Sequence, residues 1–176
     1  MADPSTFWPS VERFVGWLHV LLRRLGVRER DVPDVVQRVL LTVHLHWQEY
    51  DPARPLQPWL RVFAQRAASD HRKLSEVRHE DVTEDGCVTM SLEDPAPRAD
   101  VAMEAEERRA LLHEALDELD FERRSVLVWV EFEGLPVPEI AAMLDVPVPT
   151  VHSRLRLARE DVTRAVRRLV ARKGLR

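Results

Sequence analysis

The chain has a single cysteine, Cys87, so it can close no internal disulfide and can build no multi-cysteine zinc site. It has 5 glycines, and none forms the kind of glycine-rich loop that cradles phosphates. It has no apolar run long enough to span a bilayer, and Met1 to Ser10 is too polar for a signal-peptide start. A cytoplasmic protein without membrane insertion is expected. Runs that alternate apolar and polar residues are few, which argues against a sheet. No nucleophile–base arrangement stands out, so no enzyme and no cofactor is expected. His44 and His46 lie two apart and so point to different helix faces. No carboxylate or thiol completes a ligand set there, and no metal is expected.

Leu, Val, Ala, Arg and Glu dominate instead, which favours helices. The expected fold class is all-α: two small helical domains joined by a flexible acidic linker. Phe14, Leu18, Leu21, Leu22 and Leu25 follow helical spacing, which predicts a helix over Val11–Leu25 closed by Gly26. A second helix is predicted over Asp31–Trp47, with Asp31 as N-cap and Pro33 in the first turn. Its apolar face is Val35, Val36, Val39, Leu40, Val43 and Trp47. Tyr50–Pro58 reads as a stiff, proline-rich loop. A third helix follows over Trp59–Leu74, with Trp59, Leu60, Phe63 and Ala67 inside. Its polar side carries Arg61, Gln65, Arg66, Ser69, Asp70, Arg72 and Lys73. That side is either a solvated face or, with the loop beside it, a surface for a single strand.

Ser75 to Asp100 loses this periodicity and is rich in Glu, Asp, Pro and Ser. The domain boundaries expected are 8–75, an acidic linker at 76–104, and 105–174. Cys87, inside the linker, reads as a plain thiol. Beyond it, Leu111, Leu112, Ala115, Leu116 and Leu119 mark one helix. Val126, Leu127, Val130 and Trp129 mark another, ended by Gly134.

Then comes EIAAMLDVPVPTVHSRLRLAR, Glu139 to Arg159, with the pattern of two helices and a tight turn. Ile140, Ala141 and Leu144 give the first helix an inner face; Val151, Leu155 and Ala158 give the second its own. Asp145-Val146-Pro147 fits the turn, with Val146 as an apolar plug. The second helix opens near Val148 and continues to about Arg172, with Val162, Val166 and Leu169 inside. Its outer face carries Pro149, His152, Ser153 and Arg156, flanked by Arg154 and Arg159. A cationic outer face on such a helix suits the major groove, although a helical hairpin with solvated arginines has the same pattern. Charge leans toward DNA. The chain has net charge −4, yet residues 148–176 hold 9 Lys/Arg against 2 Asp/Glu. Local charge sets the attraction to phosphate. A membrane surface suits this tail less well, because its apolar stripe is narrow and lacks aromatics.

The two halves together resemble the extracytoplasmic-function group of sigma factors in the sigma-70 family. DVPDVVQRVLLTVHLHW resembles the family's polymerase-binding helix, and YDPARPLQPWLRVFAQRAASDHRK its loop and helix that melt and read the −10 element. LDELDFERRSVLVWVEFEGLPVPEIAAMLDVPVPTVHSRLRLAR resembles region 4, which reads the −35 element. The resemblance implies binding to core RNA polymerase at its clamp coiled coil and flap, with Asp34, Val35, Gln37, Arg38 and Leu41 on the helix laid against the clamp. It implies −10 contacts by Arg61, Gln65, Arg66, Ser69, Asp70, Arg72 and Lys73 on a flipped base, with the 51–58 loop beside them. It implies −35 contacts by Pro149, Thr150, His152, Ser153, Arg154, Arg156 and Arg159, aided by the helix N-terminus. It also implies an anti-sigma partner. Several residues depart from the family pattern. Gln37-Arg38 stands where Gln-Glu is usual, Arg54-Pro55 for Arg-Gly, Pro136 for a Ser cap, Pro149 for Gly, and His152 for Lys or Arg. Two other readings fit the same residues: a helix-turn-helix regulator without polymerase binding, supported by Arg38, and a sigma-like protein that titrates an anti-sigma factor.

Overall fold

A computed structural model describes residues 3–77 and 99–173, without the side chains of residues 4, 76, 77 and 99–106. Every regular element among the described residues is helical, so the chain has the expected all-α class. It divides into two units, Met1–Val82 and Thr83–Arg176.

In the first unit, α1 (Phe7–Val11) and α2 (Val15–Arg24) are separated by a 3-10 turn at Glu12–Phe14. The single helix expected over Val11–Leu25 is therefore broken. Ser10 Oγ donates to the Thr6 carbonyl at 2.7 Å, a back-bond that competes with the ladder and bends a helix. The apolar face survives the break, with Val11, Leu18, Leu21 and Leu22 all buried. Gly26 closes α2 at φ 97, where Val27 N–H reaches Leu22 O at 3.0 Å.

Next, α3 spans Val32–Leu45, preceded by a 3-10 turn at Glu29–Asp31. Asp31 does not cap it. The residue sits at φ −94, ψ −13, helical rather than extended, and its side chain makes no cap bond. Its carboxylate lies instead 3.3 Å from His71 Nε2. Trp47 falls outside α3, in a separate turn at Trp47–Glu49. It anchors the unit. Its ring meets Phe7, Tyr50 and Trp59, and its indole N–H donates to Asp3 O at 2.9 Å.

The following helix, α4 (Leu56–Val77), starts earlier and ends later than expected. Pro58 lies in its first turn, where a missing N–H breaks no helical bond. The loop shrinks to Asp51–Pro55, tied by Ala53 N–H to Asp51 Oδ1 at 3.0 Å. The inner face is rotated from the expected one: Leu56, Leu60, Ala64 and Ala68 are buried, while Trp59, Phe63 and Ala67 are half-buried. Ala64 and Ala68 keep that buried face low where α4 packs on α2 and α3.

In the second unit, α5 (Ala99–Asp117) begins within the range expected for the linker. Residues 78–98, with Cys87, lie outside the described residues. Asp120 caps α6 (Phe121–Leu127), its Oδ1 accepting from Arg123 N–H at 2.9 Å. A π-helical turn, Val128–Phe132, continues α6. All residues from Arg124 to Trp129 are buried, while Val130, expected inside, is half-buried. The buried Arg124 is satisfied by Asp117 Oδ1 at 2.7 Å and Leu116 O at 3.1 Å. Gly134 turns the chain at φ 65 into α7 (Val137–Leu144) and then α8 (Val148–Lys173). Helices α5, α6 and α7 all pack on α8, whose far half buries Ala165 and Leu169 against Ala115. Val162 and Val166, expected there, are half-buried.

Candidate nucleic-acid interface

The turn between α7 and α8 is fixed by its backbone. Asp145 is left-handed at φ 53, ψ 50, and Val146 N–H reaches back to Ala141 O at 3.0 Å. This is the Schellman closure with aspartate where glycine is usual. Val146 is half-buried, and Ile140, Ala141, Val151, Leu155 and Ala158 are buried as expected. Pro136 leads into α7 in extended conformation, with no side-chain cap.

With one face of α8 committed to the core, Pro149, His152, Ser153 and Arg156 point outward and are exposed. Arg154 is half-buried; at about 100° per residue it lies roughly 160° round the helix from Arg156. Arg159 is exposed on the other flank and Thr150 is half-buried. The helix N-terminus offers less than expected. Pro147 and Pro149 have no N–H, and Thr150 N–H is bonded to Pro147 O at 2.9 Å.

The basic charge of α8 is largely matched by acids. Arg156 Nη1 meets Glu160 Oε1 at 2.6 Å, and Arg159 meets Glu131 Oε1 through Nη2 at 2.5 Å and Nε at 2.9 Å. Arg164 pairs with Asp161 at 3.4 Å, Arg168 with Glu118, and both Arg172 and Lys173 with Glu114. Lys173 and Arg172 hold the Glu114 carboxyl below the usual carboxylate range. Arg154 and Arg167 have no hydrogen-bond or ion-pair partner among the described residues. Arg168, Arg172 and Lys173, in the basic tail of α8, are thus held by Glu114 of α5 and by Glu118 just beyond it.

In the first unit, Asp34, Gln37, Arg38 and Leu41 share the exposed face of α3. Val35 does not belong with them: it is fully buried, because its position turns it into the core. Leu45, which sequence reasoning missed, does belong. It lies one turn beyond Leu41, and the two are 80 % and 63 % exposed. Exposed leucines at i and i+4 form an apolar strip. Arg38 lies at the edge of the strip with Nη2 3.4 Å from His71 Nδ1, and Thr42 Oγ1 donates to its carbonyl. Burial holds the His71 pKa below its ordinary value; Asp31 pulls it up, and Arg38 and Arg28 push it down.

The residues expected at the −10 element fall on two stripes of α4. Arg66, Asp70 and Lys73 are exposed at i, i+4, i+7. Arg66 and Asp70 line a cleft of about 260 Å³ with Arg38, Thr42, His46 and Phe63. Arg61, Gln65 and Arg72 lie on a different side; Arg61 and Arg72 are half-buried and Gln65 is buried, with Ser69 half-buried between the stripes. The burial of Gln65 removes it as a direct base reader. At the rim, Tyr50, Trp59, Phe63 and His46 form a chain of ring contacts, with Tyr50 and Trp59 5.2 Å apart. His44 meets Phe7 and His46 meets Glu49, so the two imidazoles serve different neighbours.

Residues 10–76 match Sigma-70 region 2, and residues 109–162 match Sigma-70, region 4. The chain belongs to the sigma-70 family, in its extracytoplasmic-function group. Among its relatives is the RNA polymerase sigma factor NccH of Alcaligenes xylosoxydans xylosoxydans, 29% identical over 166 residues, which are 92% of this chain and 87% of that one. Another is the ECF RNA polymerase sigma-E factor of Escherichia coli (strain K12), 27% identical over 175 residues, 97% of this chain and 91% of that one. Among solved structures, CnrH in complex with the cytosolic domain of CnrY is similar at TM-score 0.60 and 25% identity, over 92% of this chain and 88% of that one. The sigma factor RpoE of Bartonella quintana, in complex with the anti-sigma factor NepR, shares the fold at TM-score 0.68 and 18% identity, over 92% of this chain and 96% of that one. As a sigma factor, this chain directs the initiation of transcription. Among its described residues, no helix is long and apolar enough to cross a membrane.

Proposed function

We propose that this sigma factor divides promoter recognition between its two units. Residues 105–174 read the −35 element, with α8 in the major groove. Arg156, His152 and Ser153 meet base edges; Arg154 and Arg159, on opposite flanks, meet phosphates on either side. Residues 8–75 bind core RNA polymerase and the −10 element. The clamp coiled coil lies on Asp34, Gln37, Arg38, Leu41 and Leu45, and Val35 supports that face from inside. Arg66, Asp70 and Lys73 contact the −10 strand, Trp59 offers a stacking surface, and Ser69 lies at the margin. An anti-sigma partner competes for the same leucine strip. The chain acts in the cytoplasm, by binding rather than by catalysis.

One observation carries this reading. The exposed stripe Pro149, His152, Ser153, Arg156 lies opposite the buried Val151, Leu155 and Ala158, so the fold commits one face of α8 and leaves the other for a partner. The test is to sequence transcripts made in vitro by the full chain with core polymerase. Discrete start sites sharing −10 and −35 motifs are expected. Absence of both start sites and polymerase binding would sink the proposal.

A further inference from the structure

We infer that Glu131 is a specificity-determining residue of the recognition surface. Its carboxylate orients Arg159 and offsets its charge, which lowers attraction to DNA in general while keeping hydrogen bonds for the correct site. The inference rests on the reading that α8 meets the −35 duplex. A single oxygen, Glu131 Oε1, accepts from both Nη2 at 2.5 Å and Nε at 2.9 Å of Arg159. A guanidinium has five N–H donors in a rigid fork, so about three remain for another acceptor. The pair joins two elements 28 residues apart, and the π turn sets its position. Glu133 N–H closes that turn on Val128 O at 3.2 Å, with Val128 and Trp129 buried beneath. Each residue turns a helix by about 100°, so the extra residue of a π turn re-aims the positions around it.

Stability does not explain the arrangement. The two side chains are 58% and 42% exposed, and such pairs contribute little to folding. An acid at a DNA-facing surface has its clearest effect on binding. Attraction to any duplex follows the cations set against phosphate, and an adjacent carboxylate subtracts from them. Oriented N–H donors still satisfy a correctly placed acceptor. Arg159 lies on the His152 and Arg156 side of α8, at i+7 and i+3 from them, so its fork borders the reader stripe. Glu160 on Arg156, at 2.6 Å, places a second acid in the same surface.

The test uses the full chain assembled with core polymerase. Two duplexes are compared across a salt series: one with the −35 element that the wild type selects, and the same duplex with that element scrambled. Glu131→Gln keeps the acceptor oxygen and removes the charge. Its affinity for the scrambled duplex should rise several-fold more than its affinity for the intact one, and the log–log salt slope should steepen by about 0.9. Adding Arg159→Ala to Glu131→Gln should bring the slope back to the wild-type value. An unchanged slope and ratio, or an equal fall in both affinities, would overturn the inference alone. If the wild type itself fails to distinguish the duplexes, the −35 reading falls and takes the inference with it.

Discussion

The outer faces of α3 and α8 are prepared for partners in opposite ways. Helix α3 leaves Leu41 and Leu45 uncovered in water. Helix α8 covers most of its charges, with carboxylates on Arg156 and Arg159, Glu118 on Arg168 and Glu114 of α5 on Arg172. An apolar face of the first kind binds by excluding water, which salt hardly weakens. The second must exchange one ion pair for another, which favours selectivity over strength. A net-acidic chain can thus hold DNA without a large free cationic field.

The largest expected effect lies in the core of the first unit. Trp47→Ala should destabilise the first unit by about 3–5 kcal/mol in denaturant titration, because it removes a buried ring with three aromatic neighbours. Leu41→Asp with Leu45→Asp should act on the partner instead. Polymerase affinity should fall by about 3 kcal/mol, more than a hundredfold, while stability stays within about 0.5 kcal/mol. A large loss of stability would mean that the strip packs inside the chain.

On the other face, Arg156→Ala should relax preference at one −35 position and cost about 1–3 kcal/mol if it reads a guanine. Selection from a randomised −35 library measures this; a uniform loss across sequences would reassign Arg156 to phosphate. Asp145→Gly should stabilise the second unit by about 0.5–1 kcal/mol, since glycine takes the left-handed conformation without a side-chain clash. The smallest effect is in pH. Burial lowers the His71 pKa, so the unfolded chain takes up the proton more readily than the folded one. The stability of the first unit should therefore fall as pH drops below the ordinary histidine value of 6.5, levelling off once the folded pKa is passed. Denaturant midpoints at about pH 7.5 and about pH 5.5 check this, and His71→Gln should remove the dependence.

The α7–turn–α8 pair is legible in the sequence because its apolar spacing is strong and Pro147 marks its turn. Counting turns alone separates Val35 from Asp34, and Arg61 from Arg66, because about 100° per residue puts them on different faces. Leu45 carries no such signal, because a leucine in the last turn of α3 has the same pattern whether it is buried or exposed. Pro58 suits a loop and the first turn of a helix equally, so the start of α4 is not fixed by the sequence. The ion pairs had no one-dimensional signal. Glu131 meets Arg159, and Glu118 meets Arg168, only after a π turn and a long helix bring them together.

The ring chain at the mouth of the Asp51–Pro55 loop gives the molecule an optical property. Trp59 is half-buried, with its ring tilted against Tyr50 at 5.2 Å and 6.2 Å from the buried Trp47. Indole emission shifts with the polarity around it and is quenched by a stacked base. A DNA strand settling on this rim would therefore dim the emission of the neighbouring Trp59 and Trp47, so the opening of a promoter could be followed in time by the protein's own fluorescence.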